Sequence, residues 1–330
     1  MPAITFRIVD DEADRGTLDD VFASYWPAYR RWMERANETE VEACRRSLRA
    51  HMPELVAPFE SLLDRFGGGD DVARFLTLWN PPRVMRACTQ LVFDSEQGPV
   101  LVRTYDHHPK LFDGIVLRSA WKSPVLALSD CAWGALDGVN GDGLAIALAF
   151  GGRDAIGDGF AAPLVCRYVL ETCANVAQAR RALARLPVYM PYTFVVADRA
   201  GDFVTAYLGP DREAVFVGAR ASANHQGRIE WAAYARFSQS EKRQACARTL
   251  LRSASNVDDV LGSFCEPPLW RTAYSEGSGT LYAACYELES SVLTLAWPGS
   301  RERVLLADVR EKTVRAELPA DTGRAARRGA

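Results

Sequence analysis

The sequence predicts an α+β fold in which two antiparallel sheets pack face to face between layers of helices. Three features of the 330-residue chain predict it: helical periodicity before residue 88, strand-like patterns after it, and two later returns to helical patterns. Strands, helices, strands and helices in that order are typical of two sheets covered by helices. With 48% hydrophobic residues, the chain can form one large core or a core with a smaller docked unit.

The first 87 residues are predicted to form a helical segment ahead of the strand-rich part. Large apolar side chains recur there at helical spacing, at Phe22, Tyr25, Trp26, Tyr29, Trp32 and Met33. A stripe of this kind is far more often core than a ligand site, so we expect it to dock on the rest of the protein. Three further helices are expected, at 38–50, 53–66 and 70–79.

Residues 88–330 show a mixed pattern and are predicted to form a second unit. Strands are expected at 88–93, 99–105, 114–118, 124–129, 134–139, 144–150, 192–197, 203–208, 214–217, 279–288, 291–298 and 304–309. Helices are expected at 163–173, 176–186, 240–253 and 257–264, with Asn175 capping the second of them. The polar residues from about 320 to 330 lack periodicity and are expected to be disordered.

Composition excludes several classes of function. The formal net charge is -3 without a basic stripe, so no nucleic-acid partner is expected. No apolar run of about 18 residues is present to span a membrane, and the N-terminus lacks a signal pattern, which predicts a cytoplasmic protein. The eight cysteines form no C-x-x-C pair or zinc spacing, so reduced thiols and no metal are expected. The glycines at 141–143 precede a strand rather than a helix, so no dinucleotide cofactor is expected.

The switch from helices to strands falls at Cys88, inside Arg86-Ala87-Cys88-Thr89-Gln90. A small residue followed by Cys at such a switch favours a nucleophile that is made N-terminal by cleavage of the Ala87–Cys88 bond. The released α-amine, with an ordinary pKa of about 7.7–8.0, can then serve as the base for the thiol of the same residue. The alternative is that Cys88 is a small buried core residue.

A hairpin predicted from 88–93 and 99–105 returns Arg103 and Asp106 close to Cys88. A guanidinium group beside a thiol favours the thiolate, and a carboxylate can hold an α-ammonium group. The alternative is an Arg–Asp pair at the surface end of a strand.

Three more side chains are candidates. The amide of Asn224 can donate to the oxyanion of a tetrahedral intermediate, or it can form an Asx turn. His225 can partner Cys88 as in papain-like enzymes, or it can be structural. Arg243, near the start of a predicted helix, can point at the site or lie on a solvated helix face.

Taken together, these residues resemble a known family. The segment Arg86-Ala87-Cys88-Thr89, the Arg103–Asp106 pair, Asn224-His225 and the stretches at 138–144 and 240–243 resemble the penicillin (isopenicillin N) acyltransferase-like family. That family belongs to the linear-amide C–N hydrolases of the N-terminal nucleophile superfamily. The resemblance covers most of residues 20–300.

The resemblance implies a four-layer αββα fold and autoproteolysis between Ala87 and Cys88. It also implies that 1–87 and 88–330 stay together as a small α and a large β subunit. By the same resemblance, Cys88 is nucleophile and base, Arg103 steers the thiol or the substrate, and Asp106 holds the amine. Asn224 is then an oxyanion donor.

The chain departs from the family pattern at two places. The interval from Cys88 to Arg103 is one residue shorter than in the relatives, which a tighter hairpin absorbs. Many relatives have Asn after the Gly-Leu-x-x-x-Leu pattern, where this chain has Ala149, so a backbone N–H must complete the oxyanion hole or the hole is weaker. Ala149, Phe150, His225 and Arg243 are the candidate substrate-binding residues.

Two functions from different classes follow. The first is a cysteine enzyme that transfers an acyl group from a small amide or thioester to water or an amine, through acyl-Cys88. The second, motivated by Ala149, is a catalytically silent member that binds a small acylated ligand or serves as a partner subunit. A third hypothesis, a Cys88–His225 enzyme acting without cleavage, predicts full activity in an intact chain.

Overall fold

The computed structural model describes residues 3–13, 15–36, 39–85 and 87–322. Arg86, from the motif before the predicted cleavage bond, and the tail from residue 323 onward lie outside the described residues. The end of the described chain is bonded rather than loose, because Thr322 N–H donates to Thr272 O at 3.1 Å. The predicted disorder of residues from about 320 to 330 falls mainly outside the described residues and stays a prediction.

Two sheets hold most of the strands. The larger sheet comprises β1 (Ala3–Asp10), β4 (Ile115–Ser119), β5 (Val125–Asp130), β6 (Gly134–Asn140), β7 (Leu144–Phe150), β8 (Tyr192–Asp198), β9 (Phe203–Gly209), β10 (Arg212–Val217) and β16 (Lys312–Glu317). The smaller sheet comprises β2 (Ala87–Ser95), β3 (Gly98–His107), β11 (Ala221–Ser222), β12 (Thr272–Ala273), β13 (Ser278–Glu287), β14 (Val292–Trp297) and β15 (Ser300–Leu305).

Nine α-helices lie within the described ranges. They are α1 (Arg15–Met33), α2 (Val41–His51), α3 (Val56–Arg65), α4 (Asp70–Thr77), α5 (Ala162–Thr172), α6 (Val176–Arg185), α7 (Ala232–Ser238), α8 (Ser240–Ser253) and α9 (Val257–Phe264). The predicted cap of α6 is confirmed, because Asn175 Oδ1 accepts the N–H of Gln178 at 3.0 Å.

The sheets and helices stack in layers, as predicted for the α+β fold. Strands β2 and β3 of the smaller sheet contact β7 and β8 of the larger one, so the sheets face each other. Helices α5 and α6 contact the larger sheet, and α8 and α9 contact the smaller sheet. Every residue of β5 to β8 is buried, as expected for strands covered on both faces.

The prediction that 1–87 is a helical segment is wrong at its start, where β1 forms. Strand β1 joins the larger sheet between β4, to which it runs parallel, and β16, to which it runs antiparallel. Its side chains alternate between exposed and buried from Ala3 to Ile8. The first segment is therefore tied to the rest of the chain by a sheet as well as by helix packing.

The aromatic stripe on α1 is only partly core. Phe22 is buried and stacks on Phe66 with ring centroids 4.0 Å apart. Tyr25, Tyr29 and Trp32 are half-buried and line a cleft. The stripe thus both docks the helical segment and forms one wall of a cleft.

Candidate active site

The β2–β3 hairpin places Cys88 beside Arg103. Cys88 pairs with Tyr105 and Gln90 pairs with Arg103, so alternation along the strands puts Cys88 and Arg103 on one face. Arg103 Nη2 donates to Cys88 Sγ at 2.8 Å. Both residues are 0% exposed, in the space between the sheets. The predicted return of Arg103 to Cys88 is confirmed.

A carboxylate that the sequence analysis did not single out holds the other side of this guanidinium group. Arg103 Nη1 donates to Asp137 Oδ2 at 2.5 Å and to Leu136 O at 3.1 Å. Burial by itself lowers the pKa of Arg103, but its acidic neighbours Cys88, Tyr282 and Asp137 outweigh burial and raise the pKa well above its usual value. Arg103 is therefore a fixed cation.

Asp137 also accepts two phenol hydroxyls from β13. Tyr282 OH donates to Asp137 Oδ2 at 2.7 Å, and Tyr286 OH donates to Asp137 Oδ1. Burial first, and then the charge of Asp137, raises the pKa of both tyrosines well above the usual value, so both remain hydroxyl donors. A charged residue inside the apolar run of β6 was the one sequence signal for this carboxylate.

Asp106 lies on the opposite face of β3 from Arg103. Three residues separate them, and an odd separation reverses the face of a strand. Asp106 Oδ1 accepts Thr280 Oγ1–H at 2.7 Å, while Oδ2 lies 3.3 Å from Arg243 Nη1 and 3.7 Å from Arg271 Nη1. Asp106 therefore does not pair with Arg103, and the alternative of a surface Arg–Asp pair is wrong, because Asp106 is 1% exposed.

Asn224 contacts the backbone nitrogen of Cys88 in the intact chain. The N–H of Cys88 donates to Asn224 Oδ1 at 2.9 Å. Asn224 Nδ2 donates to the carbonyl of Phe150 at 3.0 Å. The amide expected to donate to an oxyanion is thus bonded to the backbone, and its oxygen faces the candidate nucleophile.

Arg243 connects these groups from α8. Its Nη2 donates to Asn224 Oδ1 at 2.5 Å, its Nη1 donates to Thr89 Oγ1 at 2.9 Å, and its Nε donates to Ser238 O at 2.8 Å. Arg243 is 0% exposed, so the solvated helix face is wrong. Its contacts orient Asn224, which supports a positioning role rather than substrate contact.

His225 faces α8 instead of Cys88. Its Nδ1 lies 2.7 Å from Ser240 Oγ and its Nε2 lies 3.1 Å from Gln244 Oε1. Both ring nitrogens are therefore engaged in packing α8 against the loop after β11. This geometry contradicts the Cys88–His225 hypothesis and gives His225 a structural role.

Burial lowers the pKa of His225, which predicts a specific pH dependence of stability. Between the lowered pKa of the folded protein and the ordinary pKa, His225 binds a proton in the unfolded chain but not in the folded protein. Stability is therefore full above about pH 6.5 and falls as the pH drops from there to the lowered folded pKa. In urea unfolding at about pH 7.5 and about pH 5, His225→Gln should show a smaller acid-induced loss of unfolding free energy than wild type. An equal loss in both proteins would contradict this account.

A cleft lies beside α1. Its wide part has a volume of about 350 Å³ and a mainly apolar, aromatic lining that includes Tyr25, Tyr29 and Phe112. A narrow part of about 40 Å³ reaches Leu148 and Phe150. The two parts share four lining residues: Trp32, Val84, Asp130 and Cys131. Phe150, which lines the narrow part, also accepts a hydrogen bond from Asn224 at its carbonyl.

Ala149 precedes Phe150 on β7 and is fully buried, opposite Thr193 on β8. Its methyl group offers no hydrogen-bond donor.

Across the described ranges, no group of three or more His, Cys, Asp or Glu side chains is arranged to hold a metal ion. Over the same ranges, no helix has the length and apolarity needed to cross a bilayer.

Comparison with known families gives one match. Residues 93–302 match the model of the family "Acyl-coenzyme A:6-aminopenicillanic acid acyl-transferase". The matched part contains Arg103, Asp106, Asn224 and Arg243, and it begins five residues after Cys88. A search of curated proteins by sequence finds no match.

Several solved structures are similar at low identity. Penicillin V acylase from Agrobacterium tumefaciens is 13% identical over 67% of this chain and 87% of that chain, with a TM-score of 0.45. A mutant of conjugated bile acid hydrolase from Clostridium perfringens is 14% identical over 69% and 96%, with a TM-score of 0.46. The N-acylethanolamine-hydrolyzing acid amidase ortholog of Caenorhabditis elegans is 12% identical over 62% and 95%, with a TM-score of 0.44.

Proposed function

The chain belongs to the acyl-coenzyme A:6-aminopenicillanic acid acyl-transferase family, and on that premise we propose that it is an autoproteolytic cysteine enzyme. It transfers an acyl group from an amide or thioester to water or an amine through an acyl-Cys88 intermediate. The observation that carries the proposal is the contact of Arg103 Nη2 with Cys88 Sγ at 2.8 Å in a fully buried site. A guanidinium group at that distance favours the thiolate, which is the reactive form of cysteine.

Activation begins with the thiol of the intact chain. Cys88 Sγ attacks the carbonyl carbon of Ala87, the Ala87–Cys88 C–N bond breaks, and the nitrogen takes the thiol proton. This leaves a thioester and a free Cys88 amine. Water then cleaves the thioester, giving a carboxylate on Ala87 and restoring the thiol. The hydrogen bond from the Cys88 nitrogen to Asn224 Oδ1 supports this step, because it orients the nitrogen that must leave.

Turnover uses the same two groups of Cys88. The α-amine accepts the thiol proton, and the sulfur attacks the acyl carbon of the substrate. The leaving amine or thiol departs with that proton. Water or an amine then attacks the acyl–sulfur bond and restores the thiol. Protons and the acyl group balance throughout, so these steps call for no external oxidant, reductant or cofactor.

The cleft supplies the place for the substrate. Its volume of about 350 Å³ falls within the range of small-molecule sites, and its aromatic lining suits an apolar acyl group. Val84, four residues before Cys88, lines both of its parts. Cleavage after Ala87 therefore frees a segment that borders the cleft. We assign the substrate to this cleft as a small amide or acyl thioester.

Ala149 favours a second candidate, a catalytically silent member that binds a small acylated ligand or serves as a partner subunit. Loss of one oxyanion donor costs about 2.7–4 kcal/mol of transition-state stabilisation in a well-studied case. In this chain Asn224 Nδ2 is bonded to Phe150 O, so backbone N–H groups are left to complete the hole. A silent member retains the cleft but has no need of a reactive thiol.

Thiol labelling separates the two candidates. Near pH 7 we expect Cys88 of the purified protein to react with iodoacetamide at least tenfold faster than each of the other seven cysteines. In Arg103→Gln this advantage should fall at least tenfold, because an adjacent cation shifts a pKa by about 1–3 units. Peptide mass analysis locates the label. Slow and equal labelling of all eight cysteines would support the silent member instead.

A further inference from the structure

A closed polar cluster lies between the two sheets, on the far side of Arg103 from Cys88. It consists of Asp137 from β6 and of Tyr282 and Tyr286 from β13, and we call these three residues the Asp137 cluster. All three are 0% exposed. The steps proposed above assign them no part.

The Asp137 cluster is assembled by strand alternation. Tyr282 and Tyr286 are four residues apart on β13, so they project from the same face of the smaller sheet. Asp137 projects towards them from the larger sheet, and each tyrosine donates to a different carboxylate oxygen. Asp137 also accepts from Arg103 Nη1, which gives this buried carboxylate three donors.

Arg103 consequently divides its guanidinium group between two acidic partners. Its Nη1 faces the Asp137 carboxylate and its Nη2 faces the Cys88 thiol. In a buried site both attractions are strong. The more the Asp137 carboxylate neutralises the positive charge of Arg103, the less that charge stabilises a Cys88 thiolate. The two tyrosine hydroxyls carry part of the carboxylate charge and thereby reduce the share that Arg103 must carry.

We propose that Asp137, held by Tyr282 and Tyr286, is a positioning residue that sets how strongly Arg103 stabilises the Cys88 thiolate. The inference rests on the proposed function of Cys88. It assigns opposite effects to the two kinds of group: Asp137 competes with the thiolate for Arg103, and the tyrosines weaken that competition.

The test is the pH profile of Cys88 alkylation by iodoacetamide, with the label located by peptide mass analysis. Asp137→Asn retains the shape and removes the competing charge, so the midpoint of the profile should fall by about one pH unit. Tyr286→Phe removes a donor from Asp137 without changing any charge, so the midpoint should rise by about half a pH unit. Midpoints that move in the same direction, or do not move, would overturn the inference.

A double variant separates action through Asp137 from a general packing effect. In Asp137→Asn the acceptor charge is gone, so adding Tyr286→Phe should leave the midpoint within about 0.2 pH units of Asp137→Asn alone. A full additional rise of about half a unit would show that Tyr286 acts on the thiol by another route and would overturn the assignment.

Tyr168→Phe is the matched control. Tyr168 is also buried, and its hydroxyl also meets a carboxylate and an arginine, Glu54 and Arg185, but on α5. Its loss should lower stability without moving the Cys88 midpoint. Failure of this inference is distinguishable from failure of the proposed function. If wild-type Cys88 reacts no faster than the other cysteines, the assignment of Cys88 as the nucleophile is wrong. If it labels fast and the variants do not move the midpoint, only the role of the Asp137 cluster is wrong.

Discussion

Wild-type protein is expected to separate under denaturing conditions into pieces of about 9.6 and 26.8 kDa, whereas Cys88→Ala should remain a single chain of 36.4 kDa. The two masses are the proportional shares of residues 1–87 and 88–330. The alanine variant has no sulfur to attack the Ala87 carbonyl. It should also lack acyl transfer altogether, because it has neither the nucleophile nor the released amine. Intact-mass measurement and turnover of an acyl thioester check the two results.

Cys285→Ala is the control for the effect of losing a buried thiol. Cys285 lies on β13 of the same sheet and is 1% exposed, close to the 0% of Cys88. Its substitution should leave cleavage and turnover intact. An uncleaved wild-type chain would remove the free amine that the mechanism needs, and the silent binding member would then become the better account. An uncleaved Cys285→Ala beside a cleaved wild type would instead indicate a folding defect as the cause.

Local patterns predicted the hairpin that carries Cys88 and Arg103 well. The strands expected at 88–93 and 99–105 are the inner parts of β2 and β3, and a hairpin is specified by its own strands and turn. The sequence therefore placed Arg103 beside Cys88. Strand alternation could also have excluded the alternative of a surface Arg103–Asp106 pair, since an odd spacing sends the two side chains to opposite faces of β3.

Other contacts depend on pairings between distant parts of the chain. Asp137 meets Arg103 across the two sheets, and the tyrosines that bind it follow about 145 and 149 positions later. No local period encodes such a meeting. Strand β1 was missed although its alternating side chains are a local signal, and its neighbour β16 lies at the other end of the described chain. Helices with local signals, such as α6 with its Asn175 cap, were predicted to within a residue or two.

The role of Asp106 leads to the second large effect. Its carboxylate faces two buried guanidinium groups, Arg243 at 3.3 Å and Arg271 at 3.7 Å. Asp106→Asn keeps the shape but leaves both cations without this counter-charge. Breaking a buried ion pair by removing one partner costs about 3–5 kcal/mol, so we expect a loss of that order in the free energy of unfolding measured with urea.

Asp94→Asn is the matched control, because Asp94 pairs with Arg220 on the surface and is 63% exposed at its side chain. An exposed pair contributes about 0–1 kcal/mol, so this variant should unfold almost as wild type does.

The effect of Asp106→Asn on stability and on turnover also decides between two roles of Asp106. If it anchors Arg243, and through Arg243 the Asn224 oxygen that binds the Cys88 nitrogen, stability and activity fall together. If Asp106→Asn abolishes turnover while the free energy of unfolding stays unchanged, Asp106 acts on the released Cys88 amine itself. The contacts of the intact chain would then rearrange after cleavage.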